Sequence, residues 1–393
     1  MQILRYFILL TFLVSCAFTP TLTSYSYSEL SSLGANISAS LDVNIEEFDP
    51  GLDGDSDTWK AKGIWPELRR TESRRFAYKL KEAFEKTNLF GNAFITPKGD
   101  YLADIVIEGS IIVSNGEDLH LQISAKDSSN RSFINKTYKH RVKEEFYSNQ
   151  RNKDSDAYDP LMRAIVGDVI KHLSRNDLQS ISKITELRYA TQLNQENFSD
   201  SLKLSSRGTY SLNFIPASDD PDFINAQNIR SKDLNFRDQI QSQYKGFLSQ
   251  VDSDYRIWQK EAFKISKRKR EAEQAATGAA IAGVFLAIAS AYAASESYSS
   301  GNYYDTGPVW GTLGAAALIS QSMESKDEAK RLTANINQIS ASLDSQVAPT
   351  VIEFEGKALK FEGTIESQFK NWKAYLNDYF EEQNKINKEI EVL

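Results

Sequence analysis

Apolar and polar residues alternate through Leu41, Val43 and Ile45, the period of a strand with one buried face, and the run ends at Phe48-Asp49-Pro50. An acidic, glycine-containing loop follows from Asp49 to Lys62. Pro66 then opens a helix, with Leu68, Phe76, Leu80, Ala83 and Phe84 on one face and most of its six basic side chains elsewhere. Phe90 to Ile95 reads as a short strand, and Ala103–Ser114, Leu119–Lys126 and Ser132–Val142 as longer ones. Asn115-Gly116 is a hairpin signal between the first two of these three. Asp159-Pro160 starts a helix with Leu161, Ile165, Val169, His172 and Leu173 on its apolar face. Strand, helix, strands, helix over residues 41–175 makes a small α/β layer unit, and the whole chain belongs to the α+β class.

Beyond Leu178 the pattern becomes helical. Residues 194–230, with Gly208, Pro216 and Asp219-Asp220-Pro221, interrupt it as an irregular connector holding one short hairpin. The cleanest period follows: Phe236, Ile240, Tyr244, Phe247, Val251, Tyr255, Trp258, Ala262 and Ile265 are spaced by 4, 4, 3, 4, 4, 3, 4 and 3. This predicts a long helix from Ser231 that continues into Ala275–Ala294. Leu332, Ile336, Ile339 and Leu343 mark a return helix. Val351–Phe361 reads as a hairpin around Glu355-Gly356-Lys357, and Ile365, Phe369, Trp372, Leu376 and Tyr379 as a final amphipathic helix.

Residues 275–323 form an Ala/Gly-rich helical hairpin on this reading. Ala275–Ala294 has 18 apolar or glycine residues in 20 and no charge. That length suits a bilayer span, but small residues serve close helix contact better than lipid contact. The run Pro308–Met323 is too short for a full span. Gly278, Gly283, Gly311 and Gly314 are the expected packing points, because repeated helical glycine needs a compensating contact. Three readings stay open: a hairpin packed in protein, an interface in a homo-oligomer, and bilayer insertion. Lys264, Lys267, Arg268, Lys269 and Arg270 precede the segment; they read as a solvated helix face, and also suit a collar at anionic lipid headgroups.

Composition narrows the function classes. With 46 Lys and Arg against 53 Asp and Glu, the net charge of −7 argues against general nucleic-acid binding. One cysteine excludes a disulfide scaffold, and three histidines leave little for a metal centre. The expectation is no metal and no cofactor. Asp53-Gly54-Asp55-Ser56-Asp57 starts like a calcium loop, yet the sixth and twelfth positions are Thr58 and Ile64 rather than glycine and an acid. Ser180-Ile181-Ser182-Lys183 matches S-x-x-K without its companion motifs. His120, His140 and His172 lack ligand spacing, and Arg69-Arg70 with Arg74-Arg75 read as a solvated helix face. No catalytic residue is expected.

Arg5, an apolar run over Tyr6–Val14 and small Ser15 have the layout of a signal peptide, residues 1–15. The run is too short to cross a bilayer. The single cysteine, Cys16, follows at once, and Leu13-Val14-Ser15-Cys16 resembles the bacterial lipobox. The resemblance implies acylation of Cys16, palmitate among the chains, and a lipid anchor for the mature protein. Ala17 in place of aspartate implies the outer membrane, with the protein on its periplasmic face. Residues 16–40, rich in Ser, Thr and Tyr, read as a tether.

The segments Ala103–Ile111, Ile123–Asp127 and Lys136-Thr137-Tyr138 resemble the periplasmic α/β domain of the TolB amino-terminal type. That domain also occurs in the penicillin-binding-protein activator and curli-secretion lipoproteins. Trp65–Arg70 and Glu186–Ala190 resemble a wider group of proteobacterial lipoproteins. The resemblance implies a non-catalytic module of envelope assemblies. The expected layout is signal peptide 1–15, lipidated tether 16–40, α/β domain 41–175, helical connector and long helix 176–274, hairpin 275–323, and return helix, β-hairpin and C-terminal helix 324–393. The expected function is a scaffold or assembly subunit of an envelope complex for secretion or polysaccharide export, with envelope protein partners. The alternatives are a periplasmic hydrolase and a membrane-inserting pore subunit.

Overall fold

A computed structural model describes residues 24–37, 41–54, 59, 64–99, 101–275, 331, 334, 338 and 349–391. The signal peptide, Cys16, Asp55, Asp57, Gly278, Gly283, Gly311, Gly314 and the stripe Leu332, Ile336, Ile339 and Leu343 lie outside the described residues, as does all but the first residue of the 275–323 hairpin.

The chain is α+β. Its first helix, α1 (Tyr27–Leu33), falls inside the expected tether and corrects it. Ser26 and Glu29 form a capping box. Tyr27 donates to Asp159 at 2.6 Å, and Leu30 and Ile37 are buried. The composition of 16–40 hid two tyrosines and a leucine that anchor this stretch to the core.

Strand β1 (Val43–Glu46) is followed by α2 (Pro66–Glu85) and β2 (Ala93–Thr96). Proline at the start of α2 loses no intrahelical bond, because that N–H has no helical partner. Strands β3 (Ile105–Ser114), β4 (Asp118–Asp127) and β5 (Ser132–Arg141) complete a five-stranded sheet of order β2-β1-β3-β4-β5. β1 runs parallel to both its neighbours, and β3, β4 and β5 form an antiparallel meander. Central β1 is buried on both faces, whereas β4 alternates buried and half-buried positions as one-sided burial requires. Gly109 lies where a Cβ would stand 2.6 Å from the Phe48 ring, which fixes glycine there.

After the short α3 (Glu144–Ser148) come α4 (Asp159–Leu173), α5 (Leu178–Leu193) and the single-turn α6 (Gln195–Phe198). A small hairpin, β6 (Leu202–Leu204) and β7 (Tyr210–Leu212), occupies the expected irregular connector. The long helix α7 (Pro221–Ala275) then begins ten residues before Ser231. The reason is local: Asp220 accepts from the Phe223 N–H at 2.9 Å, and Pro221 fits the first turn. Its 55 residues span about 82 Å. Strands β8 (Thr350–Phe354) and β9 (Lys357–Phe361) form a hairpin turned by Glu355 and Gly356, both at positive φ, and α8 (Ile365–Glu391) follows.

Instead of leaving the α/β unit, α7 lies along it. Its stripe (Phe236, Ile240, Tyr244, Val251, Tyr255, Trp258, Ala262) is buried in the same apolar cluster as β1, α2 and α4. The β8–β9 hairpin and α8 close over its first half, where Trp372 stacks on Phe236 at 5.0 Å. The sheet edge at β2 is sealed by one side chain: the Gln241 carboxamide accepts from the Ile95 N–H at 2.9 Å and donates to the Ile95 carbonyl at 3.1 Å. An amide thus takes the place of a sixth strand at Ile95, on an edge that otherwise invites unwanted pairing.

Replacing Gln241 with leucine leaves both Ile95 groups buried without partners. The expected cost is about 1–3 kcal/mol, read as a lower midpoint in urea unfolding, together with faster hydrogen exchange at the Ile95 amide. An unchanged exchange rate at Ile95 contradicts this role.

Candidate functional site

The chemistry of the described residues is concentrated in a polar seam between α7 and the α/β unit. At its foot, Asp42 and Asp104 precede the parallel strands β1 and β3. Arg230 of α7 reaches both, at 3.2 and 3.4 Å. Thr185 of α5 donates to Asp104 at 2.5 Å, and the Asp42 N–H donates to it at 2.8 Å. Burial pushes the Asp104 carboxyl up, against the pull of Arg230. One turn further, Asp233 and Arg237 pair with each other inside the core. Tyr189 and the Trp372 indole, the latter at 2.8 Å, donate to Asp233, and Arg237 donates to the Leu102 carbonyl at 3.0 Å.

Higher up, Tyr244 donates to Glu47 at 2.7 Å, and Arg74 reaches the same carboxylate at 3.0 Å. Arg75 is fully buried, bound to Asp156 and Asp252 at 2.5 and 2.8 Å, with its guanidinium 3.9 Å over the Tyr255 ring. Burial alone would lower its pKa; Asp156, Tyr255 and Asp252 together hold it above its usual range. Glu72, also fully buried, accepts from Ser114 at 2.5 Å and Tyr255 at 2.9 Å. Burial raises its carboxyl despite Arg69 at 3.6 Å. At the top, Ser266 donates to the Asn115 carbonyl at 2.7 Å and Arg270 pairs with Glu117 at 2.8 Å. Gly116 turns the β3–β4 hairpin at φ 86°, and a Cβ there would meet the Phe263 backbone nitrogen at 2.5 Å.

The solvated face expected for the α2 arginines is corrected: Arg69 and Arg75 are buried and only Arg70 faces solvent. Burial follows because α7 covers that side of α2. Of the basic residues before the Ala/Gly run, Lys264 pairs with Glu261, Lys267 with Glu144 and Glu271, and Arg270 with Glu117. Arg268 is exposed, and the Lys269 side chain lies outside the described residues. Ser180 donates to Asp177, the N-cap of α5, and Lys183 pairs with Glu186. The three histidines are dispersed. His172 stacks on Phe133 and meets Asp127, His140 meets the Ala157 carbonyl, and burial lowers the pKa of both His120 and His140. Asp53 accepts from the Trp59 indole through its backbone carbonyl.

Among the described residues no group of three or more His, Cys, Asp or Glu side chains is placed to hold a metal ion, and no helix is long and apolar enough to cross a membrane. A pocket of about 300 Å³ opens beside the start of β2, lined by Lys81, Glu85, Asn92, Phe94 and Asp238 among others, with Lys81 paired to Glu85. Comparison with known proteins finds no matching family model, no matching curated protein and no matching solved structure.

The seam has a signal that period counting passed over. Glu72 lies four residues from both Leu68 and Phe76, inside the apolar stripe of α2. Asp233 and Arg237 interrupt the stripe of α7 in the same way. A charge inside an apolar stripe must find a partner in the core. What the arrangement does chemically is fix register: a shift of α7 by one turn would strand Arg230, Arg237, Gln241, Tyr244 and Tyr255 together.

Arg75→Met leaves buried Asp156 without its ion-pair partner, with only the weaker pull of Lys79 remaining. It is expected to cost about 3–5 kcal/mol, seen as a large fall in the unfolding midpoint. A fall under a third of that contradicts the strut. A second expectation concerns Glu46, half-buried at the end of β1. Burial, then Glu108, raise its carboxyl to about 7. Because the folded form holds its proton more tightly, this contribution to stability is present below the ordinary carboxylate range and is lost as pH rises through 7. Glu46→Gln should therefore stabilise at pH 8 relative to pH 5 by about 1 kcal/mol after discounting for partial exposure. Melting curves at the two pH values check this, and parallel shifts at both contradict it.

Proposed function

We propose that this chain is a bacterial lipoprotein, anchored through Cys16 to the periplasmic face of the outer membrane. It works there as a non-catalytic scaffold or assembly subunit of an envelope complex, for secretion or polysaccharide export, with envelope proteins as partners. The carrying observation is Leu13-Val14-Ser15-Cys16, with the chain's single cysteine directly behind a nine-residue run too short to span. The fold adds support. The charged side chains of the seam hold α7 in place, so the helix works as a strut whose first residues adjoin one end of the sheet and whose last adjoin the β3–β4 turn at the other.

In this proposal the α/β unit is a TolB-amino-terminal-like module. The Ala/Gly run that follows α7 forms a hairpin with Gly278, Gly283, Gly311 and Gly314 as its packing points, within the protein or between copies. Lipidation supplies what the described helices lack, a durable hold on the membrane.

Radiolabelled palmitate fed to bacteria expressing the full chain should label it, and Cys16→Ser should abolish the label. Wild-type protein without acyl modification at Cys16 contradicts the anchor.

A further inference from the structure

Half of the large apolar side chains that stand exposed among the described residues fall within one stretch of 21 residues: Leu204, Phe214, Ile215 and Ile224, between 42% and 62% exposed. Leu202, Leu204, Tyr210 and Leu212 share one face of the β6–β7 hairpin. Leu202 and Leu212 pack on the core, and Leu204 stands beyond it, 62% exposed. Phe214 and Ile215 follow directly, their backbone held by hydrogen bonds from Asn213 and Phe214 to the Ser201 carbonyl. Phe214 is therefore held out by structure rather than left on a loose loop. Several large apolar side chains exposed along one tied-down stretch mark an interaction site.

Its place in the fold says what covers it. The hairpin is tied to the β4–β5 turn, Tyr210 N–H to the Ser129 carbonyl at 2.8 Å and Asn130 to the Gly208 carbonyl at 2.9 Å. That turn begins at Asp127, which meets His172 near the end of α4, and the neighbouring Lys171 lies over Tyr25. The apolar cluster and the point where the chain from Cys16 joins the fold thus share one end of the molecule. From Cys16 to Tyr25 there are nine residues, at most about 32 Å fully extended. A lipid on Cys16 keeps Tyr25, and with it this end of the fold, within that distance of the bilayer.

We infer that Leu204, Phe214, Ile215 and Ile224 form a second membrane contact, inserting into the lipid interface beside the anchor. This inference rests on the lipoprotein reading. Exposed Lys203 and Arg207 are balanced by exposed Asp200 and Asp219, so the contact is apolar insertion and depends little on anionic lipid. The acyl chains on Cys16 hold the protein durably but leave its orientation free, and a second contact fixes that orientation.

The test uses the chain from residue 16 onward with Cys16→Ser, floated with phosphatidylcholine vesicles with and without phosphatidylglycerol. Binding to both within about threefold is expected. Phe214→Ser with Ile215→Ser should weaken it at least tenfold, and Leu204→Ser severalfold, with unchanged melting. Val351→Ser, another exposed apolar position, should leave it unaltered. No binding by the parent chain, equal binding by the double variant, or binding only with phosphatidylglycerol overturns the inference. So does a double variant that loses function in cells while keeping full vesicle binding, which makes the patch a protein interface. Failure of the anchor is read separately, as absence of acyl label on Cys16 in the native chain.

Discussion

The structure depends on one constraint: a helix of 55 residues must bury its apolar stripe while carrying charges inside that stripe. An exposed helix of this length would have no use for Asp233, Arg237 and Gln241 where they stand. Within the packed fold each has a partner: Tyr189 of α5 and Trp372 of α8, the Leu102 carbonyl, and both backbone groups of Ile95. The apolar residues between them supply the association, because burial of their surface is favourable wherever the helix lies. The polar ones set the position, because an unpartnered buried charge costs far more than a paired one gains.

Everything else is arranged around that contact. The β2 edge is closed without another strand, β3 and β4 turn through a glycine tight enough for α7 to press on it, and α8 completes a core that runs from Leu30 to Phe380. The two ends of the molecule thereby acquire different characters. One holds the β6–β7 hairpin and lies close to where the N-terminal segment docks. At the other, α7 passes the β3–β4 turn and hands the chain to its Ala/Gly run. On the proposed lipoprotein reading, α7 is a rigid strut between the anchor and the Ala/Gly run, and the charged seam keeps that strut in register.

Much of the fold was legible from periodicity. The alternation at Leu41, Val43 and Ile45, the Asn115-Gly116 turn and the stripe from Phe236 to Ala262 correspond to β1, the β3–β4 hairpin and α7. Three things were not legible. Helix α1 was hidden by Ser- and Tyr-rich composition, because its stability comes from Tyr27 and Leu30 reaching partners far along the chain. The start of α7 at Pro221 was masked by an Asp-Asp-Pro that reads equally as turn and as cap. The arginines of α2 appeared solvated because amphipathicity is judged within one helix, while Arg75 is claimed by Asp156 and Asp252 from two other segments. Charges inside apolar stripes are the sequence trace of such tertiary partners.

The central claim is that α7 and the sheet unfold as one unit. Native-state hydrogen exchange across a denaturant series measures this directly, by comparing amides of α7 between Phe236 and Ala262 with those of β1 and β3. One shared opening free energy and one denaturant dependence for both sets is the expected result. Amides of α7 that exchange through a separate, cheaper opening while β1 and β3 remain protected would contradict the account.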